Sequence, residues 1–288
     1  MEQNNETWQT HAKSIWKAQL FIQENLDEEL SLHQIARAAS CSPYHFHRIF
    51  HAFTGESLNQ YIRRLRVEKA AGRLKYTQHL VTEIALDSGY QTPSSFSRAF
   101  CKVMGISPQK YRANGMNQFD GHQKKQYNKE KSMMNPEVVN FIEQPVLFVR
   151  RVGSYQDTPA KAWKALMLFA KENHLNLSGA RKFSIGLDDP NITEQENLRF
   201  DACLSAPKEH VEKGDVGRQT LEGGRYAVFL HRGPYEELER TFDAIFQQWY
   251  PNQKNKVADQ PCFCEHMNME LMESNPGELL TKIYIPLK

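Results

Sequence analysis

The chain has 288 residues, 40% of them hydrophobic and 24% charged, with a formal net charge of +2. This is ordinary globular composition at a length suited to two domains, and no stretch approaches the ~20 consecutive apolar residues a membrane span needs. The charge is uneven, at +4 over residues 1–112, +2 over 113–135 and −4 over 136–288, as expected of a nucleic-acid binder joined to something else.

The opening Met1-Glu2-Gln3-Asn4-Asn5-Glu6 lacks the basic-then-apolar order of a signal peptide. The cysteines (41, 101, 203, 262 and 264) are scattered and odd in number, which argues against a disulfide framework and for a cytoplasmic setting. Trp8 to about Asn25 reads as a helix, with Ile15, Leu20, Ile22 and Leu26 as packing positions.

From Ser31 to Arg112 the sequence says nearly the same thing twice. Ile35-Ala36, then Ser42-Pro43-Tyr44-His45-Phe46-His47-Arg48-Ile49-Phe50, then Gly55-Glu56-Ser57 is answered by Ile84-Ala85, then Thr92-Pro93-Ser94-Ser95-Phe96-Ser97-Arg98-Ala99-Phe100, then Gly105-Ile106-Ser107. The offset is 49 residues upstream and 50 from the prolines onward, so the second copy carries one extra residue before its proline. Each copy predicts a short helix, a turn and a second helix. Ser31 with Gln34 fits a capping box, and Ser42-Pro43 and Thr92-Pro93 place a hydroxyl at the N-cap and proline at the first helical position. Phe46, Ile49, Phe50 and Phe53 recur at helical spacing toward a core, leaving Tyr44, His45, His47, Arg48 and His51 outward. A helix pair with an outward basic face on its second member describes a helix-turn-helix reader of double-stranded DNA.

Between the copies, Ser57 with Gln60 fits another capping box, and Ser57 to about Thr77 predicts one continuous helix of roughly 30 Å, close to the ~34 Å between successive major-groove faces. Its Arg63, Arg64 and Arg66, with Lys69 and Arg73, suit phosphate contacts. The block, ending in Gly105-Ile106-Ser107-Pro108-Gln109-Lys110-Tyr111-Arg112, resembles the DNA-binding domain of AraC-family (AraC/XylS-type) transcription regulators of bacteria. The resemblance implies that the second helix of each pair enters a major groove, with Tyr44, His47 and Arg48 facing bases in the first and Ser94, Ser95 and Arg98 in the second.

Residues 113–135 lack helical or strand periodicity and read as a solvated linker rich in Gln, Asn, Lys and Gly. From Pro136 the grammar changes. Val146-Leu147-Phe148-Val149, Gly153-Ser154-Tyr155 and a helix holding Trp163, Leu166 and Phe169 return 80 residues later as Tyr226-Ala227-Val228-Phe229-Leu230, Gly233-Pro234-Tyr235 and a helix holding Phe242, Ile245, Phe246 and Trp249. Two strand candidates follow each helix: Ser184–Leu187 and Phe200–Ser205, then Cys262–Met269 and Lys282–Leu287. The expected fold is therefore an all-α double helix-turn-helix domain (1–112), then an α+β domain of two βαββ repeats (136–288) forming one sheet covered by two helices.

Gly224-Arg225-Tyr226-Ala227-Val228-Phe229, His231-Arg232-Gly233-Pro234-Tyr235-Glu236-Glu237-Leu238 and Ile283-Tyr284-Ile285-Pro286-Leu287 give this half a resemblance to the GyrI-like effector-binding domain. The order of the two modules resembles that of the right-origin-binding group of regulators. The resemblance implies a cleft between the repeats for a small, amphipathic or cationic effector. It also places the ligand-contacting glutamate at Glu265. Strand alternation sets Phe263, Glu265 and Met267 on one face, and a carboxylate between apolar side chains is costly to bury without a positive partner. Tyr155, Trp163, Tyr226, Tyr235 and Trp249 are the aromatic candidates for cation–π contact; Met267 departs from the tyrosine of the family pattern.

On the other face, Cys262, Cys264 and His266 could be read as metal ligands, but no fourth ligand follows and no metal or cofactor is expected. No Gly-x-Ser-x-Gly elbow, phosphate loop or dinucleotide fingerprint occurs, so no catalytic residue is expected. Two other readings of 136–288 stay open. One is a surface for RNA polymerase or another protein. The other is a hydrolase using Glu265 as a general base with a pKa raised by its apolar pocket.

Overall fold

The computed structural model describes residues 2–121, 135–206, 214–250, 253, 257–258 and 260–288, and the side chains of these except 2–10 and 115–121. The chain divides into two compact units, one of seven helices and one built on an antiparallel sheet. No helix among the described residues is long and apolar enough to cross a membrane.

In the helical unit, α1 (Glu2–Glu24) precedes α2 (Leu32–Ala38), α3 (Pro43–Thr54), α4 (Leu58–Tyr76), α5 (Val81–Asp87), α6 (Pro93–Met104) and α7 (Pro108–Gly121). The caps are the expected ones. Ser31 and Ser57 each close a reciprocal box with the glutamine three residues on, and the hydroxyls of Ser42 and Thr92 accept from the backbone N–H of His45 and Ser95. Gly55 and Gly105 end α3 and α6 in the left-handed region (φ 74° and 73°), where a side chain would be strained. The extra residue of the second copy falls in its turn, after the left-handed position held by Ser40 in the first copy and Gly89 in the second.

Each copy packs the same aromatic chain. Phe46, Phe50 and Tyr61 meet at centroid distances of 5.4 and 5.3 Å, and Phe96, Phe100 and Tyr111 at 5.5 and 5.4 Å. The four phenylalanines are fully buried, each worth about 1.5–3 kcal/mol of transfer free energy. The region expected to be linker begins later than its composition suggests, because α7 runs on to Gly121; residues 122–134 lie outside the described residues.

The second unit holds β1 (Glu137–Phe141), β2 (Gln144–Val152), α8 (Thr158–Glu172), β3 (Lys182–Gly186), β4 (Arg199–Ser205), β5 (Val216–Leu221), β6 (Gly224–Arg232), α9 (Leu238–Ala244, continued by a π-helical turn to Trp249), β7 (Phe263–His266) and β8 (Leu280–Pro286). Its eight strands run in the order β1-β6-β8-β7-β3-β4-β2-β5, every pair antiparallel. The order is palindromic under the 80-residue offset. The expected βαββ unit therefore lacks a strand. Each repeat has a further one, β1 or β5, that leads directly into β2 or β6 yet pairs at the far edge of the other repeat.

The register separates two faces. Leu147, Val149, Ala202 and Leu204 pack on α8, and Ala227, Phe229, Cys264, Ile283 and Ile285 on α9 and its π-helical turn. The opposite face carries Phe148, Phe183, Cys203, Tyr226, Phe263, Glu265 and Tyr284, alternating with these along the same strands.

Candidate functional site

On α3, Phe46, Ile49 and Phe50 turn inward, while Tyr44 (78% exposed), His47 and Arg48 stand in solvent. On α6, Ser94 and Arg98 are exposed, but the Ser95 hydroxyl is engaged at the N-cap, donating to the Thr92 carbonyl at 2.8 Å. On α3, His45 is exposed with the outward group and reaches another helix. Its Nε2 lies 3.2 Å from Nε2 of His11 on α1.

The basic side of α4 is largely spoken for, which corrects the phosphate assignment of Arg64 and Arg66. Arg64 pairs with Glu56 and Glu68. Arg66 donates to three backbone carbonyls, Leu26 (2.8 Å), Glu28 (2.5 Å) and Gly89 (3.2 Å), tying the end of α1 to the second turn. A Cβ on Gly89 would lie 2.9 Å from that guanidinium, so close packing and φ both require glycine there. Lys69 and Arg73 pair with Asp27 and Asp87. Of the five cations, Arg63 is the one for which no such tie is seen among the described residues.

On the sheet face turned away from α8 and α9, Glu265 is 6% exposed. Its Oε1 accepts from Arg181 Nε at 2.7 Å and its Oε2 from the Tyr284 hydroxyl at 2.7 Å. Five rings cluster on the same face. Phe263 and Tyr284 stack at 4.6 Å, Phe141 lies 5.0–5.6 Å from Phe263, Tyr226 and Tyr284, and Phe183 packs edge-on at 5.8 Å from Phe263. The Arg181 guanidinium stands over Phe183 (4.8 Å) and Phe141 (5.3 Å). Burial works against the Glu265 charge, yet the hydrogen bonds from Arg181 and Tyr284 and the charge of Arg181 hold its carboxyl below the usual range. The Tyr284 hydroxyl is raised by burial and by the same bond. A carboxylate with a depressed pKa is a poor proton acceptor, which removes the raised pKa on which the hydrolase reading relied.

Of the expected aromatic cage, the fold brings Tyr226 onto Phe263 and Tyr284, the ring whose hydroxyl bonds Glu265, and takes the others elsewhere. Trp163 and Tyr235 meet the His266 ring on the helix-covered face (5.8 and 5.0 Å), and Trp249 packs on Phe229 there. Tyr155 is locked by its hydroxyl to the carbonyls of Asp188 and Arg199, both at 3.0 Å. Strand β7 stops at His266, leaving Met267 beyond it and 47% exposed. On the opposite strand face, Cys264 is buried among the side chains packed on α9, and His266 bonds Ser184 Oγ through Nε2 at 2.9 Å. The rings that complete the site, Phe141, Phe183, Phe263 and Tyr284, were missed as site residues. For Phe141 a signal existed: Phe141 and Leu221 stand at the 80-residue offset, so both ends of the repeat begin one strand earlier.

A second buried pair lies on the same face. Arg150 binds Asp201 through two parallel bonds of 2.7 and 2.8 Å, and Gln219 donates to the same carboxylate at 3.0 Å.

Residues 35–114 match a helix-turn-helix domain and residues 134–288 a GyrI-like small molecule binding domain. Among curated relatives, the transposon Tn10 TetD protein of Escherichia coli is 37% identical over 106 residues, 37% of this chain and 77% of that one. The transcriptional regulator Rob of Salmonella typhimurium is 22% identical over 271 residues, 84% of this chain and 92% of that one. Among solved structures, the C-terminal domain of AraT, a response regulator from Geobacillus stearothermophilus, is 34% identical, covers 35% of this chain and 84% of that one, and superposes with a TM-score of 0.34. With a helical reader in front and more than half its length in the second match, the chain is an AraC-type DNA-binding transcription regulator belonging to the family that carries the GyrI-like small molecule binding domain.

Proposed function

We propose that α3 and α6 read two neighbouring major-groove segments through Tyr44, His47, Arg48, Ser94 and Arg98, and that the Glu265 face binds a small lipophilic cation that alters DNA affinity or polymerase recruitment. The protein acts in the cytoplasm as a sensor and not as an enzyme. One observation carries the ligand assignment: a buried carboxylate, bonded to Tyr284, on the same sheet face as the ring cluster of Phe141, Phe183, Tyr226, Phe263 and Tyr284. Ring faces and a fixed negative charge attract the same ligand class, a cation with apolar substituents.

The test is a thermal-shift series on the full chain with tetraphenylphosphonium, a neutral detergent and an alkyl sulfonate, with Glu265→Gln beside it. A ligand at about 100 times its dissociation constant stabilises the native state by ~2.7 kcal/mol. A shift confined to the cation and lost in the variant is expected; a shift from the sulfonate alone would refute the assignment. For the DNA half, Arg48→Ala and Arg98→Ala are each expected to lower specific binding by about 1–3 kcal/mol at fixed salt while non-specific binding holds. Equal losses in both would make these arginines phosphate contacts.

A further inference from the structure

The ligand position on the Glu265 face already holds a cation, and it belongs to the protein. Arg181 supplies what a lipophilic cation would: a delocalised positive charge over two aromatic faces and a charge-assisted bond to Glu265. We propose that Arg181 is a tethered competitor, an internal occupant that an effector displaces, so that its hold on Glu265 sets which cations the protein answers to. This rests on the Glu265 face being the effector site.

Three features make the guanidinium removable. First, the backbone of Arg181 is anchored independently of its side chain: its N–H donates to Ser205 Oγ at 2.8 Å, and its carbonyl accepts from the Ser205 N–H at 2.9 Å. The side chain can leave while strand β3 keeps its register. Second, the side chain is 39% exposed against 8% for Glu265, so the arginine closes the site from the solvent side while the carboxylate lies beneath it. Third, the two charges come from opposite repeats and neither is duplicated. The 80-residue offset puts Pro261 at the place of Arg181 and Ile185 at that of Glu265. A charge pair built once, across the axis relating the repeats, is an addition to the common framework.

The occupancy also states what an effector must do. Withdrawing Arg181 leaves Glu265 with the Tyr284 hydroxyl and, across the strand pair, the Lys282 charge. A neutral molecule cannot replace the lost charge. A small hydrated cation replaces the charge but not the contact with Phe141 and Phe183. A cation with flat or bulky apolar substituents supplies both, and its apparent affinity falls by the fraction of molecules in which Arg181 has swung out.

The experiment measures tetraphenylphosphonium binding to the full chain by calorimetry, in the native protein, Arg181→Gln, Arg181→Lys, Glu265→Gln and the Arg181→Gln/Glu265→Gln double variant. Arg181→Gln is expected to bind at least about tenfold more tightly than the native protein, the factor gained when a site open in at most about one molecule in ten becomes permanently open. Arg181→Lys, which keeps a charge without the planar fork, is expected to lie between them, and both Glu265 variants are expected to lose binding. Without the guanidinium, Glu265 takes a proton more readily, so on acidification binding to Arg181→Gln should begin to weaken at a higher pH than binding to the native protein.

If the native protein and Arg181→Gln bind equally, and Glu265→Gln does not bind, the effector site stands and the tethered competitor is overturned. Weaker binding to Arg181→Gln would make Arg181 part of the ligand's own contact surface and overturn it as well. Binding to both Glu265 variants as tight as to the native protein, or no binding to the native protein and Arg181→Gln alike, would overturn both this inference and the cation site beneath it.

Discussion

Acid should loosen the sheet through one residue. His266 is 7% exposed, its Nε2 held by Ser184 Oγ at 2.9 Å and its Nδ1 buried without a hydrogen-bond partner among the described residues. Burial pushes the imidazolium down to about 4; the charge of Glu265 opposes that and the charge of Lys182 adds to it. An unfolded histidine titrates near 6.5. The folded pKa is the lower one, so the stabilisation is complete above pH ~6.5 and drains as pH falls toward 4. At pH 5 the unfolded chain has taken the proton and the folded chain has not, which costs about 2 kcal/mol. The window from 6.5 to 5 lies above the range where Glu265 protonates, so the two effects separate.

Hydrogen exchange by mass spectrometry, corrected for intrinsic rates, reports the opening free energy of β7 and β8 directly. Between pH 7 and 5 it should fall by about 2 kcal/mol in the native protein and stay nearly flat in His266→Gln, which keeps a polar atom toward Ser184. An equal fall in the variant would refute the assignment, whatever its starting stability.

Two further outcomes follow from hydrogen-bonded arginines. Arg66→Gln removes three bonds to carbonyls, so the helical unit should lose about 2–4 kcal/mol, at 1.5–3 per charged bond with incomplete additivity. The salt dependence of DNA binding should hardly change, whereas a slope reduced by about one would make Arg66 a phosphate contact after all. Arg150→Met strands Asp201, which is fully buried, and should cost about 3–5 kcal/mol in urea denaturation. Combining it with Asp201→Leu should recover most of the loss, because the penalty lies in the unpaired charge; a double variant as unstable as the single would place it in packing.

What the sequence disclosed follows from the range of the physics involved. The caps at Ser31, Ser42, Ser57 and Thr92 act within one turn of helix, so they were legible residue by residue. So was the alternation that separates Glu265 from Cys264 and His266. Arg64 and Arg66 looked like phosphate contacts because their spacing on α4 is visible in one dimension, whereas Glu56, Leu26, Glu28 and Gly89, which hold them, are brought near by the fold. Trp163, Tyr235 and Trp249 failed as cage members for a related reason: periodicity tells which residues share a strand face, but not which face the helices cover. Phe141 was hidden because β1 is short and its partner β6 is remote in sequence.

The exchanged strands bear on how the second unit comes into being. Because β1 completes the edge of the later repeat and β5 that of the earlier one, neither repeat can finish alone, and a half-made chain presents an unpaired edge. Such distant pairing is slow to form. Phe141 rides on the first of these strands and Glu265 on β7, so the ring cluster beside Glu265 is complete only when β1 has docked on β6. On the proposed function, a ligand bound beside Glu265 would therefore also favour copies in which this edge has closed.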